Sequence, residues 1–196
     1  MIQIPNSIRK LIESESYAVD NIGMSDSSVY LFPDKVLKVQ SADEESENEY
    51  MMMKRLDGKL PVPEVIAYEK YCGKSYLLMS RISGAMACDD FYMDTPELLI
   101  ELLSKAMHML WEVDITDCPG RMNLDKKLEM AAYHVEHDLV DLENVQPDTF
   151  GKDGFRNPKE LLSWLIEHRP QEELVLSHGD FCLPNIFYTE NRVSGF

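Results

Sequence analysis

An aspartate and an asparagine five residues apart form the pattern in this sequence that is best suited to chemistry. Asp180 and Asn185 lie in the segment Ser-His-Gly-Asp-Phe-Cys-Leu-Pro-Asn, residues 177–185, between two short apolar runs. Phosphoryl transfer to an alcohol needs a carboxylate that orients the hydroxyl and accepts its proton. It also needs a side-chain carbonyl that helps to hold magnesium beside the phosphates. The alternative is a loop between two strands in which Asp and Asn act as turn formers.

A lysine inside an apolar strand pattern is the second candidate. Lys38 is flanked by Leu37 and Val39, so its side chain is expected on the opposite face of the strand. An acidic helix pattern follows directly, and Glu47 and Glu49 are near enough in sequence to pair with the lysine. Such a Lys–Glu pair can steady the α- and β-phosphates of a nucleotide. A solvated lysine beside a solvated helix face is the alternative.

A segment of small residues precedes the first predicted strand. It reads Gly-Met-Ser-Asp-Ser-Ser at 23–28. Gly23 permits a tight turn, and backbone amides together with the hydroxyl of Ser25 could approach a phosphate. Because the segment matches neither the P-loop nor the G-x-G-x-x-G pattern, an ordinary surface turn is the alternative.

A run without Lys or Arg extends from 136 to 148 and is rich in carboxylates. Beside a catalytic loop it would form a wall that binds cations. As a solvated acidic surface it would need no ligand. Its acidic residues are Glu136, Asp138, Asp141, Glu143 and Asp148.

The elements that must position these residues change character along the chain. The first third has the alternating pattern of strands, with a hairpin pattern around Pro33-Asp34. One helix in this part is acidic at its start and basic at its end, which suits the helix dipole. The elements predicted here are strands at 29–32, 35–39, 65–68 and 76–79 and a helix at 43–55.

After Gly84 the apolar residues recur at helical spacing. The residues 94–97 match a capping box with Pro96 in the first turn. A strand-rich part therefore precedes a helix-rich part, which predicts an α+β fold and not alternating βαβ units. The further elements predicted are helices at 94–113 and 126–139, a helix that starts at 157–160, and short strands at 174–176 and 186–188.

Composition limits the class of protein. The chain has 196 residues, 44% of them hydrophobic, and a net charge of −16, which repels nucleic acids and anionic membranes and attracts cations. The alternative is that this charge only keeps the protein in solution. It contains no apolar run of about 18 residues, as a membrane span requires, and its start lacks a signal-peptide pattern. The four cysteines form no C-x-x-C pair, which favours reduced thiols in the cytoplasm.

Together these residues resemble a known family. H-G-D-x-x-x-x-N at 178–185, Lys38, Glu49 and the loop at 23–25 are similar to the aminoglycoside 3′-phosphotransferases. The similarity is collinear over essentially the whole chain. It implies a two-lobed, protein-kinase-like fold, use of Mg-ATP, and phosphorylation of a kanamycin-type antibiotic, a cationic small molecule, which confers resistance. Further similar segments lie at 58–63, 77–80, 117–119 and 193–196.

The resemblance implies a role for each matching position. Asp180 would be the catalytic aspartate and Asn185 a magnesium ligand. Lys38 would contact the nucleotide phosphates and Glu49 would pair with it. Residues 1–82 would form the nucleotide-binding lobe and 83–196 the helical lobe. The remaining implied contacts are Ser25 over the phosphates, the backbone of Ser80 and Ile82 at the adenine edge, and Asp141, Glu143 and Asp148 against the antibiotic.

The sequence departs from the family pattern at two places. Val36 occupies a position where relatives can place an aromatic that stacks on adenine, which puts nucleotide affinity and base preference in doubt. The chain ends at Phe196, where the family continues into Ile-Asp-x-Gly, with its principal magnesium ligand, and into the helices that complete the antibiotic pocket. We therefore expect a truncated helical lobe and very little phosphotransferase activity from the 196 residues.

Three other functions compete with this interpretation. Related kinases of macrolides, choline or sugars share the catalytic loop, although the acidic run at 136–148 disfavours neutral sugars. A kinase-like remnant that binds a nucleotide or a partner without catalysis is the alternative from another class. A protein kinase is disfavoured because His-Gly-Asp at 178–180 replaces the H-R-D type of loop. Antibiotic range, nucleotide preference and oligomeric state stay open.

Overall fold

A computed structural model describes residues 4–13, 15–20, 27–118 and 122–196. The loop at 23–25, with Ser25, lies outside these described residues. The chain divides into two compact units, Met1–Pro119 with Val175–Phe196, and Gly120–Leu174. No helix in the described ranges combines the length and the apolar character needed to cross a membrane.

A five-stranded antiparallel sheet dominates the first unit. Its strand order is β1-β2-β3-β5-β4. The predicted hairpin is confirmed, because β2 pairs with β3 around the Pro33-Asp34 turn, and the two further predicted strands are confirmed as β4 and β5. The bounds are β1 Ala18–Asp20, β2 Ser28–Leu31, β3 Lys35–Ser41, β4 Val65–Tyr71 and β5 Lys74–Ser80.

The alternation of β3 decides which face each of its side chains uses. Leu37 and Val39 are 0% and 2% exposed and belong to a core beneath the sheet. Ile8 of helix α1, Asn6–Ile12, is buried in the same core. Lys38, between the two apolar residues, therefore lies on the other face, as the sequence predicts.

Helix α2, Glu44–Leu56, follows β3 and confirms the helix predicted at 43–55. Its start is a capping box, in which the Asp43 side chain accepts from the Ser46 amide at 2.9 Å and the Ser46 hydroxyl accepts from the Asp43 amide at 3.1 Å. Met52 and Leu56, in its second half, pack against a cluster that contains Leu60. The cap defines where the helix begins, and this contact packs its second half against the cluster.

A second, smaller sheet carries the segment that follows the candidate catalytic loop. Strands β6 Ala85–Met86, β7 Phe187–Thr189 and β8 Arg192–Gly195 pair antiparallel in that order. The strand predicted at 186–188 is confirmed as β7, one residue further along. Ile186 and Tyr188 are buried at the centre of the surrounding core.

Along the chain, β6 is followed by helices α3, Asp90–Met93, and α4, Pro96–Trp111. The predicted helix at 94–113 is confirmed as α4, but the predicted capping box at 94–97 is wrong. Thr95 is the N-cap and makes no side-chain cap bond. Its hydroxyl instead donates to the carbonyl of Phe91 at 2.7 Å, so the end of α3 occupies the group that a cap would need.

The second unit contains two helices, α5 Leu124–Glu136 and α6 Pro158–Glu167. Asn123 and Asn157 cap them by accepting from amides three residues later, each at 3.0 Å. The start predicted for α6 is confirmed. Helix α5 begins two residues before and ends three residues before the predicted range, because the backbone leaves helical geometry at Asp138, where φ is 53°.

The strand predicted at 174–176 is wrong. The structure forms no strand there, and no described strand pairs with this segment. Leu176 is 7% exposed and packs with Leu60 and Leu110, whereas Leu174 and Val175 are exposed. A single buried contact, without a neighbouring strand to complete a ladder, leaves the segment extended and irregular.

Candidate active site

The loop at 177–185 folds so that the two predicted chemical residues touch. The amide of Cys182 donates to the Asp180 carbonyl at 2.9 Å, and a short 3₁₀ helix, Leu183–Asn185, follows. The side-chain amide of Asn185 then donates to the carboxylate of Asp180 at 2.9 Å and to its carbonyl at 3.1 Å. The five-residue spacing therefore closes one compact polar turn.

This turn leaves two kinds of oxygen available. The Asn185 amide nitrogen faces Asp180, so its carbonyl oxygen is left as an acceptor or metal ligand, and the Asp180 carboxylate is exposed. Within the described residues, no group of three or more His, Cys, Asp or Glu side chains is arranged to hold a metal. A magnesium ion takes one or two protein oxygens and completes its shell with water and phosphate oxygens. The donor set of this loop fits that partial role.

Two neighbours of the pair were not assigned a role from the sequence. Burial, followed by a hydrogen bond with the Asp180 carboxylate, raises the pKa of the Cys182 thiol, so this thiol stays protonated and is a poor nucleophile. The ring of His178 lies 6.4 Å from that of Phe181 and 6.2 Å from that of Phe196. Its Nδ1 is buried without a hydrogen-bond partner in the described part of the chain.

The strands after the loop are tied to the segment that follows β5. The Ser83 carbonyl accepts from the Ser194 hydroxyl at 2.8 Å and from the Thr189 hydroxyl at 3.3 Å. Gly84, with φ of 113°, lies so close to β7 that an added Cβ would be 2.3 Å from the Tyr188 carbonyl oxygen. A glycine is required here for both backbone conformation and space.

The predicted adenine contacts, Ser80 and Ile82, lie in this connecting region. The amide of Ser80 donates to the Glu64 carbonyl at 2.9 Å, and its hydroxyl accepts from the Glu64 amide at 2.8 Å. The backbone of Ile82 has no hydrogen bond to any described residue, while its side chain packs on Gly195, where a Cβ would lie 2.3 Å away. The backbone groups of Ile82 are therefore available to bind a ligand, whereas the Ser80 amide is already bonded to the Glu64 carbonyl.

On the sheet face opposite the core, Lys38 meets Glu49. The lysine Nζ lies 2.7 and 2.9 Å from the two carboxylate oxygens of Glu49, and the two side chains are 24% and 28% exposed. Glu47 pairs with Lys70 instead. Gln40 donates to the same carboxylate at 2.7 Å. Sequence reasoning missed Gln40, although the period of two places it on the face of Lys38.

The acidic run at 136–148 lies in the second unit. Asp141, Glu143 and Asp148 are exposed. A hydrogen bond from the Asn144 side chain, followed by one from the Glu143 amide, lowers the pKa of Asp141, which therefore remains charged while it shapes its own loop. At the end of α5 the ring of His137 stacks on Tyr133 with centroids 4.1 Å apart.

Comparison with protein families and sequences gives one consistent answer. The family model described as APH, phosphotransferase enzyme family, matches residues 21–196. An aminoglycoside 3′-phosphotransferase of Enterococcus faecalis is 38% identical over 210 residues, with coverage of 100% of this chain and 77% of that protein. One of Staphylococcus aureus is 38% identical over 207 residues, with the same coverage of both.

Solved structures give the fold. A type VIII aminoglycoside-3′-phosphotransferase aligns with a TM-score of 0.68 at 22% identity, over 96% of this chain and 72% of that one. APH(3″)-Id from Streptomyces rimosus, in complex with ADP and streptomycin, aligns with a TM-score of 0.70 at 23% identity and the same coverage. These likenesses confirm the predicted α+β, protein-kinase-like fold. Together with the family match from residue 21 to residue 196, they lead to one conclusion: this chain belongs to the phosphotransferase enzyme family.

Proposed function

We propose that this protein transfers the γ-phosphoryl group of ATP to a hydroxyl of an aminoglycoside antibiotic, the 3′-hydroxyl of the kanamycin type, and so confers resistance. The observation that supports this most is the contact between Asp180 and Asn185 in the loop at 177–185. The relatives of 38% identity are named aminoglycoside 3′-phosphotransferases. ATP as the donor also favours the cytoplasm, which supplies it, as the place of the reaction.

Asp180 is the residue that acts on the acceptor. Its exposed carboxylate accepts a hydrogen bond from the antibiotic hydroxyl and takes its proton as the hydroxyl oxygen bonds to the γ-phosphorus. The bond from that phosphorus to the bridging oxygen breaks in line, its electrons stay with that oxygen, and ADP leaves. Asn185 orients the carboxylate through its amide. The transfer is direct, so no phosphorylated form of the protein arises.

The nucleotide would be held by residues of the loop at 177–185, of β3 and α2, and of the segment at the end of β5. Asn185 would offer its carbonyl oxygen to Mg²⁺, which, when bound, neutralises charge on the phosphates. Lys38, oriented by Glu49, would contact the phosphates, and Ser25 would lie over them. The backbone of Ile82 and the carbonyl of Ser80, whose amide is already bonded to Glu64, would meet the adenine. In this proposal residues 1–82 form the nucleotide-binding lobe and 83–196 the catalytic and acceptor lobe.

The acceptor would be a polycation bound by the acidic run at 136–148. Asp141, Glu143 and Asp148 would contact its ammonium groups, and added salt should weaken the binding because it screens these exposed charges. Changing the three to Asn, Gln and Asn should lower kanamycin affinity and leave ATP affinity unchanged. A matched control removes three exposed charges elsewhere, at Glu44, Glu45 and Glu97.

The direct test is ADP release by the purified protein with Mg-ATP and kanamycin, with ATP binding measured separately by calorimetry. Release that depends on kanamycin supports the proposal. Release with choline or a macrolide, but not with kanamycin, would show that the acceptor is not an aminoglycoside. Choline is included because a choline/ethanolamine kinase family protein from Mesorhizobium loti shares the fold. It aligns with a TM-score of 0.64 at 15% identity, over 93% of this chain and 58% of that one. Binding of ATP without any release would fit both the very low activity expected of these 196 residues and a kinase-like binding module.

A further inference from the structure

The first half of α2 carries Glu49 but has little apolar surface of its own. Its sequence, Glu-Glu-Ser-Glu-Asn-Glu-Tyr at 44–50, contains one large ring and no aliphatic residue. The apolar contacts of Met52 and Leu56 belong to the second half. Something must therefore hold the first half over the sheet if Glu49 is to keep a fixed place.

Tyr50, next to Glu49 in sequence, stacks on Tyr68 of β4. The two ring centroids are 4.2 Å apart and the ring planes differ by 6°. Tyr68 lies opposite Leu77 on β5, and Leu77 lies opposite Lys38 on β3. Residues directly opposite in antiparallel strands share a face, so Tyr68 and Lys38 belong to one row across the sheet. The Tyr50–Tyr68 stack and the Lys38–Glu49 pair thus both join α2 to the row of residues that contains Tyr68, Leu77 and Lys38.

Among the described residues, the other links between α2 and this part of the sheet are polar: the bonds from Lys38 and Gln40 to Glu49 itself, and the pair between Glu47 and Lys70. The pair between Glu47 and Lys70 joins side chains that are 56% and 42% exposed, and such surface pairs contribute little. Stacked rings have few rotatable bonds and bury apolar area. The hydroxyl of Tyr68 is buried without a hydrogen-bond partner in the described part of the chain. The ring, and not the hydroxyl, is therefore the part of Tyr68 that makes the contact.

We propose that the Tyr50–Tyr68 stack fixes the position of α2 over the sheet, so that Glu49 holds Lys38 in place for the nucleotide phosphates. Tyr68 of β4 is then a positioning residue, separated by β5 from Lys38 of β3, and it acts on that lysine only through Tyr50 and Glu49. The nucleotide part of this inference rests on the proposed function. The mechanical part, the hold on α2, does not.

Three variants distinguish the effect of losing the Tyr68 ring from the effect of a general loss of stability. Tyr68→Ala removes the stack, and Tyr68→Phe keeps the ring while removing the unpartnered hydroxyl. Tyr30→Ala is the matched control, because Tyr30 of β2 lies opposite Leu37, on the core face, and its ring contacts Tyr17 with centroids 5.4 Å apart. It removes an aromatic pair from the same sheet without touching α2.

The first readout is the affinity for Mg-ATP, measured by calorimetry in a double-mutant cycle with Lys38→Ala. Tyr68→Ala should weaken binding about 3- to 10-fold, while Tyr68→Phe and Tyr30→Ala should leave it unchanged. In the Lys38→Ala background, Tyr68→Ala should have no further effect, because its action passes through the lysine. Independent, additive losses would overturn the inference, as would an equal loss in Tyr30→Ala.

The second readout needs no nucleotide. Hydrogen exchange of the amides at 44–50 should accelerate in Tyr68→Ala and stay at the wild-type rate in Tyr68→Phe and Tyr30→Ala. Unchanged exchange in Tyr68→Ala would refute the inference whatever the affinities are. Accelerated exchange in a protein that binds no Mg-ATP would refute the proposed function and leave the hold on α2 established.

Discussion

Gln40 donates to the Oε2 atom of Glu49 at 2.7 Å, the oxygen that the Lys38 Nζ also approaches, at 2.9 Å. One carboxylate is therefore held by two neighbours on the same strand and face. The amide does not carry a charge, so it keeps Glu49 in place without competing for the phosphates. In the proposed function, Lys38 would contact the nucleotide phosphates while Gln40 keeps its partner anchored.

Removal of this anchor should weaken nucleotide binding more than folding. Gln40→Leu loses a hydrogen bond to a charged group and should raise the dissociation constant for Mg-ATP about 3- to 10-fold, since partial exposure reduces the full effect. Gln40→Glu should be worse, because it places a second carboxylate beside Glu49. Calorimetric titration of both variants checks the order. Equal affinity in wild type and Gln40→Glu would contradict it.

The carboxylate of Asp180 should be essential for transfer and dispensable for structure. In Asp180→Asn the amide oxygen can still accept from Asn185, so the loop and ATP affinity should be retained. Turnover should fall about 100- to 10,000-fold, the usual contribution of a general base. A radiometric assay, sensitive enough for slow turnover, measures this change. The same loss in Cys182→Ser, which keeps the carboxylate, would show that loop geometry and not the base is at fault.

The close approach at Gly84 predicts a large loss of stability on substitution. Gly84→Ala combines a disfavoured positive φ with a Cβ 2.3 Å from a backbone oxygen, and should cost about 2–5 kcal/mol in the free energy of unfolding. Gly58→Ala is the control, since φ is 71° but nothing lies within 4 Å, and it should cost about 1 kcal/mol. Urea denaturation gives both values. If Gly84→Ala and Gly58→Ala cost the same free energy of unfolding, then β7 shifts to make room for the added Cβ at residue 84.

Tyr188 should make the fold sensitive to alkali. Burial, with a smaller effect of Tyr92, raises its pKa from 10.0 to about 12. The unfolded chain therefore loses this proton first, so the stabilisation is complete below pH 10 and is lost as pH rises through 12, by about 2–3 kcal/mol in total. Tyr188→Phe should remove this part of the slope between about pH 9 and 11.5. If the free energy of unfolding of Tyr188→Phe falls with pH as steeply as that of the wild type, groups other than Tyr188 cause the loss of stability in alkali.

The same variant has a second expected outcome at neutral pH. The Tyr188 hydroxyl is buried without a hydrogen-bond partner among the described residues. Its removal should leave the free energy of unfolding unchanged or slightly higher, because an unsatisfied buried hydroxyl is unfavourable. Thermal unfolding at pH 7 checks this, and a clear loss of stability would indicate a partner for the hydroxyl in the protein.

Local patterns predicted those features that depend on a short stretch of chain. Alternation in 35–39 placed Lys38 opposite its apolar neighbours, and polar residues at 157–160 gave the start of α6. These patterns left Glu47 and Glu49 both open as the partner of Lys38, and only the resemblance named Glu49, because the choice depends on how α2 is rotated over the sheet. That rotation is a tertiary property, set by contacts such as the one between Tyr50 and Tyr68.

The failed predictions have similar causes. The run at 174–176 has the composition of a strand, but a strand needs a neighbour, and no described strand lies beside it. Thr95 has the chemistry of a cap, but its hydroxyl bonds to the end of α3, a helix of four residues that periodicity could not detect. The direct contact of Asn185 with Asp180 needed the loop conformation, which the spacing alone does not define.

The bonds to the Ser83 carbonyl have a consequence for synthesis on the ribosome. They join residues 106 and 111 positions apart, whereas the five-stranded sheet uses only strands from 18 to 80. Contacts between distant residues form late, since the chain must first be made and the loop between them closed. The sheet with Lys38 can thus fold early in translation, whereas the two bonds to Ser83 can form only after Thr189 and Ser194 have left the exit tunnel.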